Sequence, residues 1–118
     1  MKKFRIVTGT GRTAITLEAD SFGTGLIVKI FNENPHIGAV AVGEYDRTQQ
    51  RASVSVHTRL GHKDDVLAQR TAHDVSKTLQ LPACVIAGVH LDDITTQEIN
   101  QILANTQTAV QAFLNSRQ

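Results

Sequence analysis

The chain is 118 residues long, with twelve basic and eleven acidic side chains and a formal net charge of +1 when its five histidines are neutral. That balance speaks against binding nucleic acid through a cationic surface, and no apolar run approaches the roughly 20 residues that cross a bilayer. One cysteine, Cys84, cannot form an internal disulfide, and Arg5 interrupts what a signal peptide would need as an apolar stretch, so a cytoplasmic protein is expected.

In chain order, strands are expected over 4–8 and 12–20, with Ile15, Leu17 and Ala19 on one face. Gly9 and Gly11 mark the turn between them. Thr8-Gly9-Thr10-Gly11-Arg12-Thr13-Ala14 has the spacing of a dinucleotide-binding glycine loop. Such a loop needs a helix to follow it, and the segment that follows is β-branched, so the motif reads as a hairpin turn. Residues 26–31 form a largely buried strand, and Asn34-Pro35 breaks the chain after it. Two further strands are expected over 36–45 and 52–59.

A first helix follows over 63–80, with Leu67, Ala68, Thr71, Ala72, Val75 and Leu79 inward and Arg70, His73, Asp74 and Lys77 outward. The apolar run 84–90 reads as a strand covered on both faces. Thr95-Thr96-Gln97-Glu98 fits a capping box for a last helix whose inner face runs from Ile99 to Leu114. The expected fold is one α+β domain over 1–118: a mainly antiparallel sheet of about six strands and two helices, in the order β-β-β-β-β-α-β-α.

Four histidines fall at the ends of these elements. If Tyr45 and Gln50 face each other across their turn, His57 lies opposite Gly38 and His36 opposite Arg59, at one end of the sheet. His62 is five residues beyond His57, and His90 joins them if its strand runs the same way. His36, His57, His62 and His90 could then hold a divalent transition metal such as zinc or iron, or each could hydrogen-bond locally. Gly38 and Gly88 mark either the close approach of a ligand or another backbone, or tight packing against a helix. Lys63 and the free amides at the start of the first helix could take a phosphate, while Asp64 or Asp65 could instead cap that helix. Neither the serines nor Cys84 has the surroundings of a nucleophile.

Three of these segments carry a resemblance. Asn34-Pro35-His36-Ile37-Gly38, then His57 and Gly61-His62-Lys63-Asp64-Asp65, then Ala87-Gly88-Val89-His90, resemble the small D subunit of gallate and hydroxyarylic-acid decarboxylase systems. That resemblance implies a fold similar to proteasome-assembly chaperones. It also implies a metal-associated carrier that takes prenylated flavin mononucleotide (FMN) from a flavin prenyltransferase and delivers it to a decarboxylase large subunit. On this reading Asn34, Gly38, Lys63, Asp64 and Gly88 contact the flavin, the four histidines bind metal, and a homodimer is expected. The alternatives are a catalytically required small subunit, a metal-dependent lyase or hydrolase, and an assembly chaperone without a small ligand.

Overall fold

The computed structural model describes residues 3–60 and 64–117. Its strands are β1 (Phe4–Thr8), β2 (Ile15–Phe22), β3 (Gly25–Phe31), β4 (Ala39–Asp46), β5 (Arg51–Thr58) and β6 (Ala83–Gly88). The helices are α1 (Asp65–Leu79) and α2 (Thr96–Arg117). The expected element order holds, with a short 3-10 turn, Gly11–Thr13, added before β2.

One six-stranded sheet has the spatial order β1-β2-β3-β6-β4-β5. It is mixed, which corrects the expectation of a mainly antiparallel sheet. β6 inserts between the β1-β2-β3 meander and the β4-β5 hairpin, antiparallel to β4 but parallel to β3. The cause is the α1 crossover, which returns the chain over the sheet so that β6 runs in the direction of β5.

Both helices lie on one face. Ile15, Leu17 and Ala19 of β2, Leu26, Val28 and Ile30 of β3, and Val85 and Ala87 of β6 are buried beneath them. α1 presents Leu67, Ala68, Thr71, Ala72 and Val75 to this layer, the inner stripe expected from its sequence. α2 presents Ile102, Thr106, Ala109, Val110, Phe113 and Leu114. Removing such side chains from water is the main stabilising term, at roughly 25 cal/mol per Å2 of apolar surface. Strand side chains alternate between faces, and among the described residues no helix or strand packs over the other face of the sheet.

The glycine-rich stretch after β1 is a hairpin turn, as its missing helix required. Gly9 and Gly11 have φ of +82° and +69°, and Thr8 pairs with Ile15 across the turn. Asn105 of α2 closes over this turn. Its side-chain N–H donates to the Thr13 carbonyl at 2.9 Å, and its own carbonyl accepts from the Thr8 hydroxyl at 2.7 Å.

Between β4 and β5 the register differs from the expected one. Asp46 pairs with Arg51, and Tyr45 with Ala52 rather than Gln50. The Asp46 carboxylate accepts the amides of Thr48 and Gln49, and Gln50 closes the loop at φ +55°. The four-residue loop thereby sits one residue later in the chain. His57 consequently faces Val40, not Gly38.

Candidate functional site

Strand direction alone gathers the singled-out segments. β3, β5 and β6 run parallel to one another, so the residues that follow each of them emerge at one end of the sheet. Residues 32–38, His57, Asp64 at the start of α1, and residues 88–90 all lie at this end, where ligands of sheet proteins commonly sit.

Asp64 is the centre of the arrangement. It occupies the N-cap position of α1 but makes no side-chain cap. Its carboxylate is 6% exposed, accepts the Val89 N–H at 2.9 Å, and lies 3.7 Å from His36 Nε2. His36 Nδ1 donates to the Asn34 carbonyl at 2.9 Å, which fixes the ring and leaves Nε2 directed at the carboxylate. The chain approaches itself closely here. A Cβ on Gly38 would overlap the Asp64 carboxylate, and a Cβ on Gly88 would overlap the His36 carbonyl. The close neighbours of these two glycines are therefore atoms of this chain: for Gly38 the carboxylate at the start of α1, and for Gly88 the backbone of the turn after β3 rather than a helix.

β6 ends at Gly88, two residues before the expected end, because side chains take over its backbone groups. Buried Asn32 donates to the His90 carbonyl at 2.8 Å, while Asp64 takes the Val89 amide. Asn32 was not legible as a site residue; the asparagine two positions on, Asn34, carried the motif but is exposed. His90 points outward and pairs with Asp92 at 3.0 Å.

The four-histidine cluster does not form among the described residues. His57 is on the sheet face away from the helices, opposite Val40, whereas Asp64 belongs to the helix side. His62 and Lys63 lie outside the described residues. No group of three His, Cys, Asp or Glu able to hold a metal occurs among those described. His36 and Asp64 are two neighbouring groups of metal-ligand type, 3.7 Å apart.

Beside Asp64 there is a cavity of about 440 Å3, within the range of roughly 300–1,000 Å3 usual for small-molecule sites. Val66 and Leu67 of α1 form one wall and Ile99, Ile102 and Leu103 of α2 the other. Val89, Leu91 and Ile94, from the segment joining β6 to α2, line it between them, and Asp64 and His90 provide its polar part. Val66, Ile94 and Ile99 are 40%, 40% and 44% exposed, so apolar surface is held open to solvent. Sequence periodicity assigned Ile99 to the buried face of α2. The signal available for the cavity was an excess of aliphatic residues at 89, 91, 94 and 99, more than one helix face needs.

One wall is braced from outside. Arg12, in the turn before β2, binds Glu98 through Nε and Nη2 at 2.5 and 3.1 Å and the Asp92 carbonyl at 2.8 Å. Glu98 completes the expected capping box: its carboxylate accepts the Thr95 amide, and the Thr95 hydroxyl accepts the Glu98 amide. The Arg12 hydrogen bond, reinforced by the Thr95 amide, lowers the Glu98 pKa to about 2. The segment that carries Leu91 and Ile94 is thus clamped at both ends.

Comparison with known proteins agrees with this architecture. Residues 9–118 match the prenylated flavin chaperone LpdD-like domain. The chain belongs to that family. Over 74 residues it is 30% identical to Protein LpdD of Lactiplantibacillus plantarum, a match covering 63% of this chain and 54% of that protein. The chain thus spans about half the length of that relative. A subunit of a chaperone complex for yeast 20S proteasome assembly superposes with a TM-score of 0.60, covering 98% of this chain and 94% of that one, at 15% identity. That likeness concerns the fold. For this prenylated flavin chaperone-like chain, no described helix is long and apolar enough to cross a membrane.

Proposed function

We propose that the chain is a carrier for prenylated FMN, receiving it from a flavin prenyltransferase and yielding it to the large subunit of a prenylated-flavin-dependent decarboxylase in the cytoplasm. The observation that carries this reading is the apolar cavity between the starts of α1 and α2, which has the volume and wall chemistry suited to a flat, largely apolar ring system. Its polar part, Asp64 and His90, offers acceptors and donors for the heteroatom edge of the ring. Because Asp64 turns its carboxylate to Val89, the first-turn amides of α1 have no side-chain cap from it and remain for a phosphate. Lys63, beside them in sequence, supplies the countercharge on this reading.

A carrier must also let go. Walls that keep Val66, Ile94 and Ile99 partly in water enclose a guest incompletely, which suits transfer better than permanent retention.

Co-expression with a flavin prenyltransferase tests the reading. The purified chain is expected to carry a visible flavin absorption band. Leu103→Trp, which fills the cavity, should lower bound flavin about tenfold or more, whereas His57→Ala should leave it unchanged. A folded, colourless wild-type chain from the same cells contradicts the proposal.

A further inference from the structure

We propose that β5, an outermost strand of the sheet, is a docking edge for an extended acidic segment of a different protein. β5 pairs with β4 alone and keeps an unbroken register over its eight residues, Arg51 to Thr58. The phase of its hydrogen bonds is set at its end. The Arg59 N–H donates to the Gly38 carbonyl at 2.9 Å, which makes Ala39–Thr58 a pair without direct hydrogen bonds. The pairs that exchange hydrogen bonds are then the alternate ones, such as Val40–His57 and Val42–Ser55. The N–H and C=O groups of Ala52, Val54, Val56 and Thr58 therefore point away from β4, and no described residue takes them.

Open sheet edges are ordinarily blunted by brevity, proline, a bulge or a charge turned toward the core. β5 has no proline, no break in register, and only Ala52, Val54, Val56 and Thr58 on its helix side. The opposite edge, β1, is five residues long, and its Phe4 ring packs on Phe113 of α2. Aliphatic surface accompanies the open backbone of β5. Val56 is 37% exposed, and Leu60, just beyond the strand, is 99% exposed. A row of free main-chain groups beside aliphatic side chains is what the addition of an extended strand uses.

Charge selects the occupant. Residues 47–63 contain four basic side chains, two histidines and no acidic one, in a chain whose net charge is +1. On the face away from the helices β5 carries Arg51, Ser53, Ser55 and His57. Asp46, opposite Arg51, turns its carboxylate to the Thr48 and Gln49 amides, and Arg51 forms no ion pair among the described residues. A second copy along this edge would set one arginine-bearing strand against another, whereas an acidic segment has the complementary sign. Directly opposed residues share a face of the sheet. In an antiparallel addition the aliphatic side chains of the segment lie beside Val54 and Val56, and its carboxylates beside Arg51 and His57. β5 ends at the sheet end that carries Asp64, and docking on it holds whether or not the cavity takes flavin.

The probe is a fluorescein-labelled octapeptide of alternating glutamate and valine. It is expected to bind the purified chain saturably, at least about tenfold more tightly than the same peptide with lysine in place of glutamate. An added strand bonds through one of its own edges. Methylation of the valine amides should therefore abolish binding, while methylation of the glutamate amides should leave it. Val56→Pro removes an outward N–H and no bond to β4, so it should weaken binding at least about fivefold with an unchanged far-ultraviolet circular dichroism spectrum. In the unaltered chain, hydrogen exchange at the Val54 and Val56 amides should be fast alone and at least about tenfold slower with saturating peptide. The absence of saturable binding up to about 1 mM overturns the proposal, as does equal affinity for the lysine peptide or an equal effect of the two methylations. So does unchanged affinity in Val56→Pro, or exchange at the two amides that is slow without peptide, the mark of a second copy on this edge.

Discussion

Asp64 holds three distant stretches of chain together with one carboxylate: the turn bearing His36, the start of α1, and the backbone beyond β6. Its replacement by Ala strands the Val89 amide, and an unsatisfied, partly buried donor costs about 1–3 kcal/mol. Gly38→Ala places a methyl group on that carboxylate, so it should also destabilise the fold, but by less in an Asp64→Ala background, where the nearest obstacle is gone and the Ala87 carbonyl, 3.0 Å from the added carbon, remains. Gly88→Ala meets backbone instead of a side-chain tip, and no such relief is expected from Asp64→Ala. Urea unfolding of the three single variants and two doubles measures this pattern. Equal penalties for Gly38→Ala with and without Asp64 would contradict the geometry. The sequence disclosed that something approaches these glycines. It could not disclose what, because Asp64 and His36 reach them only through the folded topology.

Among the elements, the start of α2 is the part most fully legible, since a capping box is local and its residues name their own hydrogen bonds. The added brace from Arg12 was not legible, because it joins the first hairpin to the last helix. This brace makes stability depend on pH. The Glu98 pKa drops from 4.5 in the unfolded chain to about 2 in the folded one, so its contribution is complete above 4.5 and is lost as pH falls toward 2. The melting temperature of Glu98→Gln should lie below that of the wild type at pH 7, and the gap should close between pH 4.5 and about 2. A gap that is constant across that interval would show that the charge on Glu98 is not what holds the clamp. The β4–β5 register was off by a loop displacement of one residue. Strand periodicity constrains which face a residue takes, while the loop position depends on which side chain folds back, here Asp46.

At the scale of the molecule, one insertion organises everything: β6 enters between β3 and β4, and the carboxyl ends of three strands come to one edge. The element order and the helix-facing core were readable from periodicity. The parallel pair was not, because strand order is decided by long-range pairing. The same insertion separates two surfaces, a cavity between the starts of the helices and the sheet face on the opposite side. The most direct measurement is a titration of the methyl-labelled chain with prenylated FMN, followed by nuclear magnetic resonance. The account predicts that the methyl signals of Ile94, Ile99, Ile102 and Leu103 shift together and saturate, while those of Val40, Val42 and Ile86 stay in place. Cavity methyl signals that remain still at saturating flavin, or shifts confined to that sheet face, would contradict it.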